Sequence, residues 1–245
     1  MIILDRVKMV RDKIAGALYR CGRDNDKVKL VAVTKYVSAD DKHIAEFIKS
    51  GCTDFGESRV QSLLDKIDYF DRKTPEYFGN NVTKNKLQWH MIGTLQRNKI
   101  RKMLSRVSLI HSIDSERLID AIDRVAEEES LCRPVECLLE VAVSGDKTKH
   151  GFKPDWSMIS DVAGKLGKYK NVRVVGLMCM SGLTAKITEI QREFATLRNI
   201  AEKLKSERLP DNCSMNELSM GMSDDFEIAI KEGATIVRIG RLLYD

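Results

Sequence analysis

Apolar positions in the first segment, Ile3, Val7, Val10, Ile14 and Leu18, recur at helical spacing and predict an amphipathic helix over 3–20. The period then changes. KLVAVTK, Lys29 to Lys35, is short, β-branched and apolar on both sides, as expected of a parallel strand covered on two faces. SADDKHIAEFIKSG returns to helical spacing, with Ser38 the predicted N-cap and Gly51 the predicted stop. The alternation then repeats. CTDFGE leads into SRVQSLLDKIDYF, LQWHMIG into TLQRNKIRKML, SLIHSID into SERLIDAIDRVAEEE, and PVECLLEVAV into a helix over 155–167. VRVVGLMCM precedes a helix over 186–206, SMNELSM precedes one over 224–232, and TIVRIGRLLY supplies the last strand. The stretch from Arg72 to Lys86 is polar and Asn-rich, with Pro75 and Gly79, and predicts a surface loop.

Roughly eight strands with helices between them predict an α/β fold, a closed (β/α)8 TIM barrel forming a single domain over 1–245. The leading helix is expected to complete the helical layer where the chain's end falls short. An open doubly wound sheet is the alternative. No G-x-G-x-x-G follows the first strand to support it.

Composition narrows the function classes. The chain carries 41 basic and 36 acidic residues, a net charge of +5. The basic residues are spread along the chain without clustered aromatics, which argues against a nucleic-acid surface. The six cysteines form no C-x-x-C pair and predict neither a zinc knuckle nor a disulfide framework. The charged N-terminus reads as neither signal peptide nor membrane span, so the expected location is cytoplasmic.

Barrel enzymes and binding proteins place their chemistry at the carboxyl ends of the strands, with phosphate near the last two. That rule selects Lys35, Glu57, His90, Asp114, Met178, Ser219 and Arg238. Two segments look like halves of a phosphate cradle. LSMGMSDD sets Ser219, Gly221 and Ser223 before a predicted helix, and VRIG sets Gly240 after an apolar run. Lys35 closes an apolar strand, where desolvation favours the neutral amine and hence attack on an aldehyde. A solvated strand-end lysine is the alternative. An imine-forming lysine, a phosphate cradle and an Arg in the mouth together suggest pyridoxal 5'-phosphate (PLP). Arg238 would then face the pyridine nitrogen and disfavour its protonation; its alternative is an ion pair with Glu57.

The segments LVAVTK, DFGES, LQWHMIGTLQRNK, HSID, KTKHGF, GLMCM, LSMGMSDDFEIAI and VRIG, in this order along nearly the whole chain, resemble the pyridoxal phosphate homeostasis proteins, the YggS/PROSC group. The resemblance implies a barrel of the alanine racemase N-terminal type, PLP fold type III, without a C-terminal β-domain. It implies PLP held as a Schiff base on Lys35, and phosphate held around Ser219, Met222, Ser223, Gly240 and Arg241. It also implies cofactor buffering or delivery without catalytic turnover. The partners it implies are PLP, PLP-dependent apoenzymes or PLP-synthesising enzymes; a monomer that binds neither nucleic acid nor membrane is expected.

Three positions depart from the family pattern. Ser58 stands where the family has Asn, leaving any contact from that amide unsupplied. Arg241 stands where Thr or Ser gives a hydroxyl, though its backbone N–H and guanidinium can both pair with phosphate. The end at Leu243-Tyr244-Asp245 replaces a Phe-Gly and short tail, predicting a frayed last strand.

His90 and His111 are strand histidines that either reach the mouth or are bonded within the core. Lys149 resembles a second lysine of relatives, with a solvated loop lysine as the alternative. Met178, Met180, Met220 and Met222 read as core fillers. No ligand spacing for a metal appears. A PLP-dependent racemase is the competing function, and an aldolase-type lysine acting on sugar phosphates is a third. Racemisation needs a second acid–base group, for which the sequence offers no obvious candidate.

Overall fold

In the computed structural model, described for residues 2–78, 87–144, 150–182 and 185–244, eight strands close into an all-parallel barrel in chain order. They are β1 (Lys29–Val33), β2 (Asp54–Glu57), β3 (Gln88–Met91), β4 (Leu109–Ile113), β5 (Val135–Glu140), β6 (Val172–Met178), β7 (Cys213–Ser219) and β8 (Ile236–Ile239). Closure is made by β1 against β8, with Val31 level with Arg238 and Ala32 with Ile239.

The first helix, α1 (Ile3–Arg20), buries the predicted stripe and adds Ala17. It packs beside α2 (Lys42–Lys49), and Arg11 donates across to the Ser50 and Gly51 carbonyls at 2.8 Å each. The other helices are α3 (Val60–Phe78), α4 (Ile100–Met103), α5 (Glu116–Glu128), α6 (Trp156–Lys165), α7 (Ile187–Lys205), α8 (Phe226–Lys231) and α9 (Arg241–Tyr244). Because α8 and α9 are short, α1 fills the outer layer beside them, and its Arg20 pairs with Glu227 at 2.6 Å.

Three local expectations are corrected. Ser38 does not cap α2; Asp41 does, accepting from His43 N at 2.8 Å, while Ser38 donates to Asp40. With its hydroxyl engaged by Asp40, Ser38 stays in the turn, and the helix starts three residues further on, behind Asp41. The expected loop from Arg72 begins as helix, because α3 runs on to Phe78; residues 79–86 lie outside the described residues. The end of the chain is not frayed through Tyr244. All four β8 residues are buried, and α9 follows with Leu243 buried and the Tyr244 ring against Phe47, His43 and Tyr36.

The core has two parts. The larger lies between strands and helices; the smaller, Val31, Leu109, Leu138, Met178 and Ile236, fills the barrel interior. That interior is not wholly apolar. His90, His111, Ser219 and Arg238 are all buried, each at most 4% exposed.

Candidate functional site

A cavity of about 750 Å³ opens at the carboxyl ends of the strands. Its walls include Lys35, Tyr36, Glu140, Met222, Ser223, Arg238, Gly240 and Arg241. The two segments singled out in the sequence therefore meet at one mouth, joined by Arg238 N donating to the Gly221 carbonyl at 3.0 Å and Leu242 N to Ser223 Oγ at 3.4 Å.

Lys35 sits two residues past the end of β1. Thr34, below it, is fully buried, and its carbonyl accepts from Val37 N at 3.2 Å and from Lys66 Nζ at 2.9 Å. Lys66 is itself buried, pairing with Glu57 at 3.0 Å. The backbone that presents Lys35 is thus pinned by an ion pair inside the protein. The lysine itself is exposed, its Nζ 5.2 Å from the centroid of the Tyr36 ring. Of the two sequence readings, the structure shows the solvated strand-end lysine and not the desolvated amine. The strand ladder stops at Val33, and the following turn carries Lys35 out over the open cavity.

The turn after β7 divides its labour. Ser219 does not line the cavity; it is buried below it, accepting from Arg238 Nη1 at 2.6 Å. Gly221 has φ +95°, a left-handed conformation, and a Cβ there would lie 2.7–2.8 Å from Ala229 and Phe226. Glycine at this position serves the turn's packing on α8. Met222 and Ser223 reach the cavity wall. Asp225, almost buried, fixes the turn, accepting from Met222 N at 2.6 Å and from Ser181 Oγ at 2.5 Å. Arg241 bonds Asp224, so its guanidinium is engaged at the surface beside Ser223.

Arg238 does not pair with Glu57, whose partner is Lys66. Its Nη2 donates to the Cys179 carbonyl at 2.9 Å. Burial pulls its pKa below the usual value, opposed by Cys179, Asp225 and Glu140. His90 and His111 lie in the core rather than at the mouth, bonded to each other at 2.9 Å. Met178 and Met220 are core fillers, whereas Met180 and Met222 line the cavity. Asp114 follows β4 and is half-buried; Lys149 lies outside the described residues.

Sequence reasoning missed Asp225, Ser181, Glu140 and Lys66. Lys66 carried a readable signal, because Leu63, Ile67 and Phe70 put it on the apolar side of α3. Asp225 looks in sequence like part of a helix start, and its bond to Ser181 spans 44 residues.

The fold is shared with alanine racemase from Clostridium difficile 630, at a TM-score of 0.67, 13% identity, and coverage of 98% of this chain and 56% of that one. The chain is thus a barrel of the alanine racemase type. PipY of Synechococcus elongatus PCC7942, in a structure with PLP bound, matches over the full length of both chains at a TM-score of 0.79 and 29% identity. The Aquifex aeolicus pyridoxal phosphate homeostasis protein is 35% identical over 98% of this chain and 96% of its own length. This chain belongs to the pyridoxal phosphate homeostasis protein family. No family model matches it. No helix among the described residues is long and apolar enough to cross a membrane.

Proposed function

We propose that this chain binds PLP at the carboxyl-end cavity and serves PLP homeostasis, buffering the cofactor and delivering it to apoenzymes or receiving it from the enzymes that make it. The observation that carries the reading is one cavity wall shared by Lys35, Arg238 and the turns 222–223 and 240–241, in a member of this family. The donor set fits the group. An amine suits an aldehyde, buried guanidinium N–H groups suit an aromatic ring nitrogen, and Ser223, the backbone around Gly240 and the Arg241 cation suit a phosphate. The volume lies in the range of small-molecule sites, about 300–1,000 Å³.

Lys35 Nζ holds the aldehyde as a Schiff base, a reversible condensation that releases one water. PLP supplies an electron sink when bound. Arg238, a desolvated cation at the ring nitrogen, keeps that nitrogen unprotonated and the sink weak, which suits carriage better than turnover. The relatives' name, homeostasis protein, agrees with this assignment.

Absorbance tests it. Adding PLP to the purified protein is expected to raise a near-visible imine band that Lys35→Ala abolishes. An equal band in the variant, or none in the wild type, overturns the assignment. Incubation with L-alanine is expected to leave optical rotation unchanged; turnover at rates ordinary for enzymes, about 10 per second, would replace carrier with racemase.

A further inference from the structure

From Arg238 inward the barrel interior holds an unbroken chain of hydrogen bonds, and the cofactor reading uses none of its members beyond Arg238. Arg238 Nη1 lies 2.6 Å from Ser219 Oγ, which lies 2.9 Å from His111 Nδ1. His111 Nε2 lies 2.9 Å from His90 Nδ1, and His90 Nε2 lies 3.2 Å from Asp54 Oδ1. Arg238 lines the cavity that faces the carboxyl ends of the strands. Asp54 opens β2 at the other end, and with His90 and Lys29 it lines a second cavity of about 700 Å³. The chain therefore runs from one mouth of the barrel to the other.

Chemistry assigns its direction. Arginine has no acceptor, so Arg238 donates to Ser219. The Asp54 carboxylate has no proton to give, so His90 Nε2–H donates to it. Burial holds both imidazoles below their usual pKa, His111 well below, so each is neutral and has one donor and one acceptor. His90 Nδ1 must then accept from His111 Nε2–H, and His111 Nδ1 must accept from the Ser219 hydroxyl. All four bonds point the same way, and each histidine is confined to its Nε2–H tautomer. Any reversal would leave a buried donor facing a donor, which costs more than a bond simply lost to water.

We propose that Asp54, His90, His111 and Ser219 form a one-way positioning relay, through which the carboxylate at the far mouth fixes how Arg238 meets a ligand. The inference rests on the PLP reading only for what Arg238 meets; the relay itself does not. Other charges bear on it. Lys29, 3.9 Å from Asp54, and Glu217 face the Asp54–His90 end. Arg238 and Lys29 act on His111, while Cys179, Asp225 and Glu140 act on Arg238. Thr53 donates to the second Asp54 oxygen at 2.7 Å and holds the carboxylate in place.

Two measurements decide the matter. The chain has only four histidines, so imidazole ¹⁵N spectra of histidine-labelled protein separate them, with His90→Gln and His111→Gln giving the assignment. In the cofactor-free wild type both relay histidines are expected as neutral Nε2–H tautomers at neutral pH. Asp54→Asn is expected to loosen both, His111 included, though His111 does not touch position 54. An Nδ1–H or charged form in the wild type, or unchanged His111 signals in Asp54→Asn, overturns the relay.

The second measurement follows the PLP-loaded protein. Asp54→Asn is expected to move the pH midpoint of the imine band on the order of half a unit, the reach of one charge across a barrel. His90→Gln, whose amide can accept and donate in the same sense, should keep the wild-type midpoint, and His90→Leu should not. Equal midpoints in all four proteins overturn the coupling to Arg238. If the wild type shows no band, the cofactor reading fails alone. The relay is then judged on the tautomers and on Arg238 Nε–H exchange, expected to be faster in Asp54→Asn; an unchanged exchange rate overturns it.

Discussion

The two interior histidines tie stability to pH. Burial holds both below the ordinary imidazole value of 6.5. Unfolding releases them to bind protons below that pH, so the denatured state gains protons that the native state refuses. Stability therefore rises with pH in this range and falls as acid is added, at up to about 2.7 kcal/mol per pH unit while both stay neutral in the fold. Burial would raise Asp54, but bonds from His90 and Thr53 and the charge of Lys29 outweigh it and leave its pKa lowered. Its contribution has the same sign, full above the usual carboxyl value of 3.8 and lost as the pH falls through the native one. Urea midpoints between pH 8 and 5 are expected to decline below about pH 6.5, and His111→Gln is expected to flatten the decline. A flat wild-type profile would mean that these imidazoles take up protons inside the fold.

At the scale of elements, the segment after β1 depends on α3. Lys66 reaches from that helix to Glu57 at the end of β2 and to the Thr34 carbonyl beneath Lys35. Replacing it by Met leaves a carboxylate buried without its cation, a loss of about 3–5 kcal/mol. Glu57→Gln with Lys66→Met removes both charges and is expected to recover much of that loss in chemical denaturation. No recovery would show that the Thr34 carbonyl, rather than the ion pair, carries the effect.

These elements show what a sequence can display. The β/α alternation, the α1 stripe and Gly51 as a stop were legible because each is local: a period, or a residue beside a boundary. The two turn segments were legible as a pair because barrel order puts the last two strands side by side. Ser38 was mistaken for a cap because Ser38, Asp40 and Asp41 compete within four positions, and only the path of the turn decides among them. Lys35 leaves two readings open in sequence, a desolvated amine or a solvated strand-end lysine, because a strand's apolar character does not say where its ladder ends. The Asp225–Ser181 and His90–His111 contacts join residues far apart in the chain, and no window of sequence contains both partners.

At the scale of the whole molecule, the candidate site joins the two ends of the barrel's chain. Lys35 and Tyr36 follow the first strand, whereas Arg238, Gly240 and Arg241 belong to the last strand and the helix after it. Tyr244 in α9 packs on Tyr36 and Phe47, so closure of the barrel and closure of the site are one event. A ligand held by Lys35 on one side and by the turns at 222–223 and 240–241 on the other has no equivalent site in the unfolded chain. Its binding therefore adds to folding stability by mass action. With PLP at a hundred times its Kd the gain is about 2.7 kcal/mol, which for a chain of this size raises Tm by about 5–10 °C. Lys35→Ala is expected to lose most of that rise while keeping its cofactor-free Tm, because an exposed side chain leaves no cavity when it is truncated. Inorganic phosphate, able to use the turns but not the amine, should raise Tm less than PLP in the wild type and equally in wild type and variant. If phosphate alone gave the full PLP shift, the anion cradle would carry the affinity and the lysine would add nothing to it.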